Sequence, residues 1–234
     1  ARDLRHAFLI ETAQSVGAQR IALGHTRDDQ AETLLLRLLR GSGTRGLGGI
    51  YPLKDDLFVR PLIETRRRDI LSFLKTRRLR YRMDATNRAL SLTRNRVRRS
   101  LIPILERRFN PRVVDLLART SGLLRDDEAV LETLAGEALE QATGRRAPGQ
   151  IDLRTEALRA LPPALQRRVL RRGLAEIRGH LRRITARHIE ACRDLFECGA
   201  GGALSLPEGV VVRLGACPGI ASGRVRSAVA SNAR

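Results

Sequence analysis

The 234-residue chain suits one large domain or two modest ones, and its 42% hydrophobic and 29% charged content excludes a disordered or fibrous protein. No apolar run approaches the roughly 20 residues that span a bilayer, so no membrane partner is expected. The net charge of +19 points to polyanions, RNA or DNA first. Lysine occurs only at 54 and 75, however, and a GC-rich genome would produce the same arginine excess by codon bias.

Residues 3–16 carry Leu4, Ala7, Phe8 and Ile10 at helical spacing, and Gly17 closes the run. The chain therefore opens inside a helix, and the start of the gene product is expected to lie upstream. The apolar segment 20–24 (RIALG) predicts a buried strand. A helix follows, with Ala31, Leu34, Leu35, Leu38 and Leu39 as its stripe. The glycine-rich stretch 41–49 is expected to be a flexible loop, 57–62 (LFVRPL) a second strand, and the run through Ile70, Leu71 and Leu74 another helix. This is a strand–helix–strand unit of the parallel α/β type. Two strands alone do not make a stable parallel sheet, so the N-terminal half of the domain is expected to be missing.

From Arg94 onward the pattern is mostly helical, with Asn110-Pro111 as punctuation between domains. Helices are expected over 113–142, 164–178 and 185–197, and short strands over 203–206 and 210–214. The chain from about Ala216 lacks periodicity and reads as an irregular tail. Aromatic content of 3% argues against RNA binding by rows of stacked bases, so phosphate contacts and shape are expected to dominate. Cys192, Cys198 and Cys217 have no C-x-x-C spacing and read as reduced cytosolic thiols.

The densest chemistry lies in 24–33 (GHTRDDQAET), at a strand's carboxyl end, where ligands sit in open α/β sheets. Asp29 and Glu32 are three apart and share a helix face opposite the leucines, and His25 lies in the loop before them. Such a group can hold Mg2+, position an ammonium or assist proton transfer. It is equally readable as helix capping, with Asp28 or Asp29 as N-cap and Asp29 and Glu32 at capping-box spacing. A second group, 94–99 (RNRVRR), places Arg94 and Arg98 on one helix face, suited to phosphate, or else simply a solvated basic face.

Together with LLRGSGTRGLGG (38–49), RPL (60–62), D-x-x-N (84–87), RNRVRRSLIPIL (from 94), ALPPALQRRVLRR (160–172) and LSLPEGVVV (204–212), the chain resembles the tRNA(Ile)-lysidine synthetases over about 1–214. GHxxDDxxET alone is shared with other PP-loop ATP pyrophosphatases. The resemblance implies ATP-dependent adenylation of the wobble cytidine of tRNA(Ile) with a CAU anticodon. Free L-lysine then attacks to form lysidine, and pyrophosphate and AMP are released. It implies Arg5 near ATP, His25 and Asp29 at the reacting centre and at ATP, and Asp29 as the Mg2+ ligand. Glu32 is implied to hold the lysine ammonium, and Arg94 and Arg98 to touch tRNA or the adenylate. The family's S-G-G-x-D-S phosphate loop is absent, so the chain by itself is expected to be inactive.

The expected architecture is α/β. A partial parallel-sheet PP-loop domain of the adenine nucleotide alpha hydrolase-like type (1–108) precedes a mostly helical tRNA-binding domain with a short β element (109–215) and an irregular tail (216–234). Cofactors are ATP and Mg2+, localisation is cytoplasmic, and a homodimer is one option. The rival readings are a cytidine thiolase of the same PP-loop class and a non-catalytic basic tRNA-binding module.

Overall fold

The computed structural model describes residues 2–82, 93–198, 202–217 and 220–229. The D-x-x-N at 84–87 lies outside them. The chain divides into two compact units, Ala1–Glu128 and Ala129–Arg234. That division falls twenty residues beyond the expected boundary at 108 because α7 (Val113–Ala142) begins in the first unit: buried Val114 packs with Ala31, Leu35, Val97 and Ile102.

In the first unit, α1 (Arg2–Ser15) leads to β1 (Ile21–Ala22), α2 (Arg27–Leu38) and α3 (Thr44–Leu47). β2 (Leu53–Lys54), β3 (Phe58–Val59) and α4 (Arg67–Thr76) follow, then α5 (Thr93–Arg96), a π-helical turn at Val97–Leu101, and α6 (Ile102–Arg108). β1 pairs parallel with β3, Ile21 opposite Phe58, so the expected strand–helix–strand unit is present. β2, unforeseen in the sequence, pairs antiparallel on the other edge of β3. Ala13, Ile21 and Phe58 form the small core beneath this sheet, where apolar surface from α1 meets both parallel strands.

The glycine stretch is not a flexible loop. Its centre forms α3, and both flanks are tied down. Gln30 donates from Nε2 to the Ile50 carbonyl (3.1 Å), while the Ile50 N–H donates to Gln30 Oε1 (2.6 Å). The Ser121 hydroxyl donates to the Leu47 carbonyl (2.8 Å), Arg125 to that of Ile50 (2.9 Å) and Arg37 to that of Gly49 (2.9 Å). Gly49, at φ +71°, is required here: a Cβ would lie 2.6 Å from Gln30 Oε1 and 2.8 Å from Ser121 Oγ.

The second unit contains β4 (Thr143–Ala147), β5 (Gln150–Arg154), α8 (Thr155–Arg159), α9 (Pro163–Arg178), α10 (Ala186–Cys198), β6 (Gly202–Ser205), β7 (Val210–Cys217) and β8 (Ile220–Val229). Its sheet is antiparallel throughout, in the order β4-β5-β8-β7-β6. The stretch after 216, expected to be irregular, completes β7 and supplies β8 at the sheet's centre, between β5 and β7. Ile151, Leu153, Val169, Leu170, Leu174, Ile189, Cys192, Phe196 and Val212 form the core with the last turns of α7. Among the described residues no helix is long and apolar enough to cross a membrane.

Candidate active site

The site is built on the turn from β1 into α2. Thr26 is the N-cap, and its side chain accepts from the Asp29 N–H while Asp29 Oδ2 accepts from the Thr26 N–H (2.9 Å). The capping box thus joins Thr26 to Asp29, rather than Asp29 to Glu32. Capping does not exhaust Asp29. Its Oδ1 also accepts from Arg94 Nη2 and Arg98 Nη2, both at 3.0 Å, and Arg67 Nη2 lies 3.4 Å away.

Glu32 lies one helical turn on and is 1% exposed. Arg98 Nε donates to its Oε1 (2.5 Å), and Arg98 Nη2 (3.0 Å) and Arg94 Nε (2.9 Å) donate to its Oε2. Asp29 and Glu32 share a face of α2, as their spacing predicts, and Arg94 and Arg98 meet that face from the facing helix. The π turn after Arg96 carries Val97 into the core formed by Ala31, Leu35, Ile102 and Val114, which fixes the two arginines over the carboxylates.

Three guanidiniums, those of Arg67, Arg94 and Arg98, face the carboxylates of Asp29 and Glu32, and Asp28 also acts on Arg98. Burial would raise the Asp29 pKa, but the Thr26 hydrogen bonds and the charges of Arg67 and Arg94 outweigh it and hold Asp29 below the ordinary aspartate value. Burial would likewise lower the Arg98 pKa, and its bonds to Glu32 with the charge of Asp29 raise it instead. Both groups therefore stay ionised.

Asp28 has a separate task. Its Oδ2 accepts from the Arg67 N–H (2.7 Å) and so caps α4 across the chain, because the N-cap residue Arg66 provides no side-chain cap of its own. Arg66 instead bonds Glu106 (3.1 Å) and Asp115 (3.3 Å), and Arg27 bonds Asp115 (3.0 Å). Sequence reading missed Arg27, Arg66 and Arg67. Adjacent arginines after a strand carry no periodic signal that tells a buried one from an exposed one.

His25 is half-buried in the β1–α2 loop, and Arg5 is exposed on α1 and takes no part in the Asp29–Glu32 bonds. Among the described residues no group of three or more His, Cys, Asp or Glu side chains could hold a metal ion. Both oxygens of Asp29 are engaged by Thr26 and arginines, so the set does not fit Mg2+ as it stands.

Residues 1–105 match the PP-loop domain family, and residues 153–215 match the TilS substrate binding domain. The chain is 39% identical to a tRNA(Ile)-lysidine synthase of Solibacter usitatus across 91% of its own length and 48% of that protein. It is 40% identical to one of Geobacter sulfurreducens across 90% of its length and 45% of that protein. The chain is thus similar to tRNA(Ile)-lysidine synthases over most of its own length. A third relative, from Streptomyces coelicolor, is 41% identical across 91% of this chain and 60% of that protein. The chain thus spans about half the length of the curated relatives it matches.

Proposed function

We propose that this chain is the part of a tRNA(Ile)-lysidine synthase that carries the reacting carboxylates and the tRNA-binding unit. The observation that carries the reading is the quartet of Asp29, Glu32, Arg94 and Arg98 at the carboxyl end of β1. It stands in a chain that matches the PP-loop and substrate-binding families in that order.

The substrates are ATP, free lysine and tRNA(Ile) with a CAU anticodon. ATP supplies the adenylyl group that makes the cytidine C2 oxygen a leaving group, and lysine nitrogen then takes its place as AMP departs. The part-exposed guanidiniums of Arg67 and Arg94 suit the phosphates released in both steps. Arg94 is 43% exposed at its side chain and Arg98 22%, so Arg94 is the partner that swings away. Its departure frees one acceptor position on Glu32 Oε2, where the lysine ammonium binds, while Arg98 keeps Glu32 in place. Arg94 then contacts the adenylate or the tRNA backbone. His25 and Arg5 are assigned to the ATP side. No step is assigned to Mg2+.

Adenylation is assigned to a protein that also contains the S-G-G-x-D-S loop, and the chain alone is expected to release no pyrophosphate. The thiolase reading finds little support: Cys192 is buried, its thiol pushed up to about 12, the wrong direction for a nucleophile. The test is product analysis with labelled ATP and a CAU-anticodon tRNA(Ile) transcript, using the chain extended to its full open reading frame. Pyrophosphate release that needs the tRNA, and AMP release that needs lysine as well, are expected. AMP release indifferent to lysine would overturn the reading.

A further inference from the structure

We propose that the end of α4 and residues 77–82 form a docking surface for unpaired RNA nucleotides, with Phe73 and Tyr81 as stacking platforms and Arg77, Arg78, Arg80 and Arg82 as phosphate contacts. The proposal takes from the tRNA-modifying reading only that the partner is RNA.

Every residue from 75 to 82 is exposed. Phe73 is 56% exposed and Tyr81 53%; Phe8 and Phe109 are exposed as well, but only Phe73 and Tyr81 lie within the basic stretch 68–82. A large ring left half in water forgoes much of the stabilisation it would gain inside, and its free face is available to a base. Phe73 and Tyr81 are thus placed where bases can reach them, although the low aromatic content of the chain argued against stacking.

The charge around these rings is one-sided. Between 68 and 82 the chain carries Arg68, Lys75, Arg77, Arg78, Arg80 and Arg82 against the single carboxylate of Asp69, which faces Arg68 at 3.5 Å. Some arginines elsewhere are committed to carboxylates, as Arg66, Arg94, Arg98 and Arg167 are, and others, such as Arg37 and Arg125, to backbone carbonyls. Arg77, Arg78, Arg80 and Arg82 have no such partner among the described residues. Arg77 lies over the Phe73 ring with its guanidinium carbon 5.7 Å from the centroid, a cation and a π face side by side.

The backbone adds an independent sign. α4 ends in a Schellman turn: the Leu79 N–H donates to the Leu74 carbonyl (2.9 Å) and the Arg78 N–H to that of Lys75 (3.1 Å). The left-handed residue of that turn is Arg78, at φ +53°, where glycine is the favoured residue. An arginine thus stands, within the basic stretch, where the backbone prefers glycine.

The test measures binding of the 234-residue chain to a short labelled single-stranded RNA and to an RNA duplex by fluorescence anisotropy across a salt series. Phe73→Ala and Tyr81→Ala are each expected to weaken single-strand binding about tenfold and leave duplex binding unchanged. Arg80→Ala is expected to reduce the salt slope by about 0.7. Arg78→Gly is expected to raise the urea midpoint yet weaken RNA binding, a combination that a merely structural role does not give. The proposal is overturned if wild type does not bind single strands, if the aromatic variants bind them as wild type does, or if the variants change self-association instead. Lysine transfer is scored separately with the chain extended to its full open reading frame: its absence beside patch-dependent RNA binding sinks the enzymatic reading alone, and the reverse result sinks the surface alone.

Discussion

Replacing Glu32 with glutamine preserves shape and removes a charge, and the geometry makes the cost calculable. Oε1 faces Arg98 Nε at 2.5 Å, and Oε2 faces Arg98 Nη2 at 3.0 Å and Arg94 Nε at 2.9 Å. Whichever way the new amide turns, its NH2 meets a guanidinium N–H, donor against donor. At least one charge-assisted bond is lost, worth about 1.5–3 kcal/mol. Breaking a fully buried pair costs about 3–5 kcal/mol, but both arginines can relax partly into water, so about 2–3 kcal/mol is expected. With a urea slope of ~1–3 kcal/mol/M, the midpoint should fall by about 1 M. The chain has no tryptophan, and both tyrosines, Tyr51 and Tyr81, lie in the first unit, so tyrosine fluorescence follows that unit's unfolding selectively. A Glu32→Gln midpoint equal to wild type would refute the argument that this carboxylate anchors the two arginines.

Other outcomes follow from the same structure. Asp29 has a folded pKa below its unfolded value, so its ionised form stabilises the fold; that contribution is complete above about pH 5 and is lost as pH falls below about 4 and through the folded value. Acid titration of the first unit's stability should show this loss, and Asp29→Asn should flatten it. Gly49→Ala combines a left-handed backbone with a Cβ 2.6 Å from Gln30 Oε1, and should destabilise the first unit by about 2–4 kcal/mol in urea unfolding. Gly173→Ala should do the opposite. Gly173 sits in α9 against an apolar cavity of about 20 Å3 lined by Ile151, Leu153, Leu170, Leu174, Cys192 and Val212, and an added methyl would meet Ile151, Leu139 and Leu153 at 3.8–3.9 Å. A gain of ~1 kcal/mol in calorimetry is expected from helix propensity and burial.

What was legible in the sequence was local. The buried part of the α2 stripe (Ala31, Leu34 and Leu35) and the spacing of Asp29 with Glu32 follow from a 3.6-residue period, as does the pairing of Arg94 with Arg98; Leu38 and Leu39, expected in the same stripe, are exposed at the end of the helix. The parallel β1–β3 pair was readable from its two apolar runs. Contacts between distant segments were not. The glycine stretch read as flexible because its fasteners, Ser121 and Arg125, stand more than seventy residues away. β8 read as a tail because its stability comes from pairing with β5 and β7, not from its own composition. The hairpin of β4 and β5 was passed over although Pro148-Gly149 is a turn signal, with Gly149 at φ +70°.

The central claim is that the Asp29–Glu32–Arg94–Arg98 cluster serves lysine transfer to tRNA. It is tested most directly by incorporation of labelled lysine into CAU-anticodon tRNA(Ile), using the chain extended to its full open reading frame, with and without Asp29→Asn. The account predicts ATP-dependent incorporation by the wild-type protein and a loss of at least a hundredfold, about 2.7 kcal/mol, in the variant. Bound tRNA without incorporated lysine, or equal incorporation by the variant, would contradict it.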